Sequence, residues 1–332
     1  MILTYLRPDA ALRPVGEQAG EPATENTEAC VTISTGPAGI RTLRTPPGGF
    51  DPRAASELEL RRYGLPQRPD AAVRPELAAR WDEVFARQLR YITPEFTPVQ
   101  ELVPGLERHA RLRPEVTYTN PTWSGTVVHA PPGQAFGWVT GEWNVPDVNP
   151  VADGRGSWVS LAWIGIDGDT DVTQIGTLQS VTNVFGPVTK LCYAWFEWYP
   201  DTWHAISNFP VSFGDTMSGL VCLQSPTEAS YSMINITQST YTGWRYFSAP
   251  GSTTSLENQV EWVLERPFVG GAQAQLPNFG ELYFDSAVGG EGLENVVQAG
   301  QDTVLNMTEN GNVVATTTVE TPTLIKIAYT GS

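Results

Sequence analysis

Cysteine is scarce in this chain. Cys30, Cys192 and Cys222 are too few for a disulfide framework, leaving one bridge at most or, as the blander state, buried free thiols. There is no CxxC pair, and the three histidines (His109, His129, His204) are scattered, so neither zinc nor any other metal is expected. Long apolar runs are also missing, and nothing approaches the length of a membrane span, so no membrane partner is expected. The opening Met1-Ile2-Leu3-Thr4-Tyr5-Leu6-Arg7-Pro8 is too short and too soon interrupted for a signal peptide. On that basis the protein stays inside, is exported without such a signal, or starts further upstream.

Positive charge is the other shortage. The chain has 20 Lys+Arg against 36 Asp+Glu, a net charge of −16. Fifteen of the basic residues, all Arg, lie in residues 1–117 beside 16 acidic ones, so residues 118–332 hold only 5 basic residues against 20 acidic. Such a surface excludes nucleic acid as a partner of the second part. It suits acidic media, where carboxylates discharge; solubility alone would explain it equally well.

Glycine and proline are plentiful, with 31 and 27 residues, which fits many short strands and turns. Residues 1–50 show little periodicity. Leu12–Ala29 reads as a flexible arm and Ala29–Leu43 as at most a short strand pair. Ser56 and Glu59 form a capping-box pattern, with Gly64 as a stop, which predicts a short helix over 57–63. A longer helix is expected from Pro75. Leu77, Trp81, Val84, Phe85, Leu89 and Ile92 mark its apolar stripe and Pro94 its end. Arg74, Arg80, Arg87 and Arg90 lie largely off the stripe, as a solvated side or as a face laid over the acidic part. Residues 94–117 are a proline-punctuated link.

From Tyr118 the texture changes. Strand-like runs recur, among them Thr122–His129, Phe136–Trp143, Ser157–Ile166, Val188–Tyr199, Ser218–Leu223, Val260–Glu265 and Thr323–Tyr329. No long helical pattern separates them, which points to an all-β, antiparallel sandwich preceded by a partly helical N-terminal extension. The expected division is an extension or pro-region at 1–117 and a catalytic sandwich at 118–332.

Chemistry concentrates in a few runs. In Gln259–Glu265, residues Gln259, Glu261, Val263 and Glu265 share one face, while Val260, Trp262 and Leu264 share a wholly apolar one. A carboxyl on a sheet floor beside aromatics is raised in pKa by desolvation and can trade protons. In Leu191–Tyr199, Tyr193, Trp195, Glu197 and Tyr199 point one way and Cys192, Ala194, Phe196 and Trp198 the other. Flat amphipathic rings on a concave sheet suit an extended polymer, unless a second layer covers them. Trp158–Ile166 is apolar on both faces, as a central strand would be. It runs into Asp167-Gly168-Asp169, which lacks the bidentate Glu of a calcium loop. Gln179, alone in its strand, says little by itself.

Four runs then stand in a telling order: Trp163-Ile164-Gly165-Ile166-Asp167-Gly168, Leu178-Gln179, Ala194-Trp195-Phe196-Glu197-Trp198-Tyr199-Pro200-Asp201, and Glu261-Trp262-Val263-Leu264-Glu265. In this order residues 118–332 resemble the glutamic peptidases, the eqolisin family of acid endopeptidases. The resemblance implies a concanavalin A-like sandwich of two curved antiparallel sheets with a cleft on a concave face. It matches Gln179 and Glu261 to the catalytic dyad. Trp163, Asp167, Trp195, Glu197 and Tyr199 match residues lining or supporting the cleft. It implies no cofactor, a polypeptide substrate, a monomer and a secreted protein, the last at odds with the absent signal peptide. The sequence departs from the family between Trp163 and Gln179, where Val172–Gly176 looks looser, and at Tyr193, where an acidic residue is expected.

The expected chemistry is general-base hydrolysis, with Glu261 activating a water and the Gln179 amide stabilising the oxyanion. Glu197 with Glu261 would instead serve a carbohydrate-binding or glycoside-hydrolysing sandwich, which needs paired carboxyls. A member of the family without activity is the third reading.

Overall fold

Short alternating runs bounded by Gly, Pro, Asn and Asp become strands because each can bury one face and pair its backbone sideways. The computed structural model describes residues 32–35, 40–72, 75–99, 102–103, 117–151, 154–168, 170–292 and 295–331. The arm at Leu12–Ala29, Cys30 and most of the 94–117 link lie outside them.

Two antiparallel sheets stack face to face. The first runs, in order, Phe96–Pro98, His204–Ile206, Thr189–Tyr199, Val172–Asn183, Gly156–Ile166, Gln259–Glu265, Trp123–His129 and Thr303–Glu309. The second runs Leu324–Tyr329, Glu281–Gly290, Trp138–Asn144, Thr216–Ser225, Glu228–Asn235, Arg245–Ser248 and Arg41–Leu43. The hairpin of Asn312–Thr321 with Leu324–Tyr329 joins the two. Between them lies the main core, where Ile164, Trp262, Leu264 and Phe196 of the first sheet meet Trp143, Met217, Tyr231 and Phe284 of the second.

The first sheet is apolar on both sides, and this positions the site. Its outer face carries Trp123, Val127, Leu161, Trp163, Leu178, Trp195, Trp203 and Val263 as a second buried cluster. That is why Gly156–Ile166 reads as apolar on both faces. The looser segment expected at Val172–Gly176 is instead regular ladder, paired residue by residue with Trp163–Ile166 and with Trp195–Tyr199.

The N-terminal extension forms a third layer. Helix α1 (Glu57–Arg62) has the expected capping box, Ser56 accepting from Glu59 N while the Glu59 side chain returns to the cap. Helix α2 (Pro75–Phe85) ends earlier than the apolar stripe predicts. Beyond it Arg90–Tyr91 leaves the helix to pair in parallel with Thr240–Tyr241, a long-range bond with no local signal. Trp81, Val84, Phe85 and Leu89 bury against Leu220, Ile234, Tyr241 and Trp244 on the outer face of the second sheet. The helix therefore lies behind the sandwich, away from Glu261. Arg87 Nη1 donates to Ile236 O and Arg90 Nη2 to Thr240 Oγ1, so these two arginines dock on the second sheet.

Candidate active site

Facing residues of an antiparallel ladder share a side of the sheet. Glu261 is paired with Gly165, Gly165 with Gln174, and Gln174 with Glu197. These four make one row across the outer face. The next row is Val263, Trp163, Gly176 and Trp195, and the one after it Glu265, Leu161, Leu178 and Tyr193. Three carboxyls and an amide are thus set among tryptophans, and the first row is almost wholly buried.

Gly165 is what lets the row work. Glu261 and Gln174 stand two ladder spacings apart, roughly 10 Å between backbones, and no side chain separates them. A Cβ on Gly165 would come within 3.2 Å of Gln174 Cβ and 3.1 Å of the Trp163 ring. Gly168 has a similar role from above, since a Cβ there would run into the Glu261 carboxyl. The backbone turn after Gly156–Ile166 therefore walls in Glu261.

Gln179 does not belong to this row. Its ladder partners are Ser160 and Cys192, and it lies with Ile175, Thr177 and Val181 on the side facing the sandwich interior. Its Nε2 donates to Thr177 Oγ1 at 2.6 Å, and Thr177 in turn accepts from Trp143 Nε1 of the second sheet. The expected pairing of Gln179 with Glu261 is thereby corrected. The parity of the strand puts the two side chains on opposite faces, and the glutamine that shares a face with Glu261 is Gln174. Gln174 Nε2 donates to Glu197 Oε2 at 2.7 Å, while its Oε1 is buried with no protein hydrogen-bond partner.

The other expected residues divide by task. Asp167, in the left-handed region at φ 65°, caps the turn that leads into Gln259–Glu265. Its Oδ2 accepts from Ser255 Oγ, Leu256 N and Glu257 N, and its Oδ1 from Asn258 N at 2.9 Å. Burial pushes this carboxyl up, against the pull of those donors, with Ser255 the foremost. Trp163 Nε1 donates to Glu265 Oε2 at 2.8 Å, and its ring meets Trp123 edge-on at 5.1 Å. Trp195 packs against Trp203 at 4.8 Å, with its indole N–H buried and unpartnered. Tyr199 is half-buried in the adjacent row, opposite Val172. Glu197 is held well above the usual carboxyl range, first by burial and then by the Glu265 charge. Tyr193, pushed up to about 12 by burial, shares its row with Glu265 rather than with Glu261.

Parts of the chain lie against the outer face. Val99 packs on the tryptophan cluster and its N–H donates to Trp203 O, and Leu102–Val103 then pairs with Phe268–Val269, just past Glu265. Tyr118 packs on the same cluster. Among the described residues no group of three His, Cys, Asp or Glu is gathered to hold a metal ion. Cys192 and Cys222 are both free thiols.

Residues 121–329 match the model of a family described as Peptidase A4. Aspergillopepsin-2 of Aspergillus niger is 30% identical over 217 residues, covering 59% of this chain and 73% of that protein. Scytalidopepsin B of Scytalidium lignicola is 32% identical over 143 residues, 43% of this chain and 50% of that protein. Among solved structures, scytalido-glutamic peptidase with a transition state analog inhibitor superposes with a TM-score of 0.53 at 22% identity, over 64% of this chain and 99% of that one. SCP-B, an eqolisin in complex with the tripeptide Ala-Ile-His, gives a TM-score of 0.50 at 19% identity, with the same coverage. At these identities the two structures speak to the fold, a β-sandwich.

Proposed function

The chain belongs to the Peptidase A4 family, the glutamic peptidases or eqolisins, and from that premise we propose that it cuts polypeptides with Glu261 as general base and Gln174 as its partner. It is a glutamic endopeptidase; the roles of individual residues are inferred from geometry. The observation that carries them is the row Glu261, Gly165, Gln174, Glu197, in which a bare glycine leaves a carboxyl and an amide facing one gap.

Glu261, ionised, takes a proton from a water lying between it and Gln174. The water's oxygen attacks the scissile carbonyl. A Gln174 N–H donates to the oxygen as it becomes negative, and such a donor is typically worth about 3 kcal/mol of barrier. Glu261 then hands its proton to the leaving amine. An amide suits this place because it stays neutral in acid yet both donates and accepts. The tryptophans of the neighbouring row supply the apolar floor for an extended peptide.

The carbohydrate-active reading fares worse. It needs two carboxyls flanking one bond, whereas Glu197 and Glu261 are three ladder spacings apart, roughly 14 Å between backbones, with Gln174 between. We further propose that residues 1–117 act as a pro-region, whose helices dock behind the sandwich.

Three variants test the dyad in a peptide-cleavage assay at acid pH. Glu261→Gln and Gln174→Ala are expected to lose on the order of 10²-fold or more in kcat. Gln179→Ala is expected to keep kcat and lose only thermal stability, because it breaks an interior bond. Full activity in a folded Glu261→Gln protein would sink the assignment.

A further inference from the structure

An amide can face a substrate with its oxygen or with its N–H₂, and only one orientation leaves a donor for the oxyanion together with an acceptor for the attacking water. Gln174 is wholly buried, as is Glu197, and the two are direct ladder partners. The contact between them is Nε2 to Oε2 at 2.7 Å. Gln174 Oε1 has no hydrogen-bond partner among the described residues.

We propose that Glu197 is a positioning residue that sets which way the Gln174 amide points, an inference that rests on the reading of Gln174 as the partner of Glu261. A carboxyl oxygen accepts, so it takes one of the two N–H groups of Nε2. The second N–H and the free Oε1 are thereby turned toward the gap over Gly165. The reversed amide would set its oxygen against the carboxyl, an arrangement that needs the Glu197 proton between the two oxygens, whereas the observed contact is met whether Glu197 is charged or neutral. Burial and the nearby Glu265 raise the Glu197 carboxyl, which keeps it neutral in acid, and its carbonyl oxygen still accepts. Glu197 touches no reacting atom; it acts through Gln174.

Two substitutions separate this from a packing role. Glu197→Met keeps the volume but offers no acceptor, so kcat is expected to fall by about 10²-fold, the scale of a misplaced catalytic group, with KM within about twofold. Glu197→Gln offers an amide oxygen in the same place and is expected to recover most of that kcat. Thermal unfolding of both variants reports whether they fold. A role in packing alone would leave Met and Gln alike. A folded Glu197→Met enzyme with the parent kcat overturns the inference, as does a Gln variant no better than Met. The Gln174→Ala protein is assayed beside them. If it is inactive while Glu197→Met is unaffected, the inference alone falls. If Gln174→Ala is itself fully active, the dyad falls and takes this proposal with it.

Discussion

At the residue scale, two glycines and one parity shape the surroundings of Glu261. Gly165 clears the space between Glu261 and Gln174, and Gly168 lies against the Glu261 carboxyl. Neither has a positive φ, so backbone freedom is not the reason for glycine at either position. Close approach is. Gly168→Ala should push its methyl onto Glu261 and displace either the carboxyl or the turn. The expected result is a loss of roughly 10²-fold in kcat/KM with an unchanged circular dichroism spectrum; an alanine variant of parent activity would show that the wall is dispensable. The position of Glu261 was legible because the alternation in Gln259–Glu265 is clean. That Gln174 shares its face was not, because nothing in Thr173-Gln174-Ile175-Gly176 marks which strand residues it stands beside. Only its register against Trp163–Ile166 does.

At the element scale, the N-terminal layer departs most from what its own residues suggest. The capping box of α1 and the stripe of α2 were readable from spacing, and Trp81 and Phe85 do bury. What those helices bury against was not readable, since the receiving face on the second sheet is assembled from strands far along the chain. Arg245 shows how closely the layer is bound. This buried guanidinium donates from Nη2 to Ile92 O, and burial holds its pKa down to about 10. If residues 1–117 are a pro-region, incubation at acid pH should yield a protein lighter by that segment, and peptidase activity should rise with its loss. Mass spectrometry of timed samples checks this. An intact chain with full activity from the first time point would instead make the layer permanent.

At the scale of the whole molecule, buried acids make stability depend on pH in a definite direction. Glu197 and Asp167 have folded pKa values raised by burial. Above the ordinary carboxyl value the unfolded chain releases protons that the folded chain keeps. Their contribution is therefore present below that value and lost as pH rises through the raised one. Self-repulsion among a net −16 charge at neutral pH acts in the same sense. His204 opposes it: burial against Phe196 lowers its pKa, so its contribution is lost as pH falls through the depressed value. With two carboxyls against one imidazole, the melting temperature is expected to fall as pH rises from about 5 to 7. Glu197→Gln, which cannot ionise, should flatten that slope, and calorimetry across the range measures it. An equal slope in both proteins would mean that Glu197 is not the group responsible.

The sequence by itself determined the class of the fold, the acid excess of residues 118–332 and the alternation that sets Glu261 on one face of its strand. Each of these follows from composition or from period 2, which are local properties of a strand. Tertiary structure alone decided which glutamine shares a face with Glu261 and what α2 packs against. Those depend on register between strands distant in sequence, and a shift of one residue there exchanges one face of a sheet for the other.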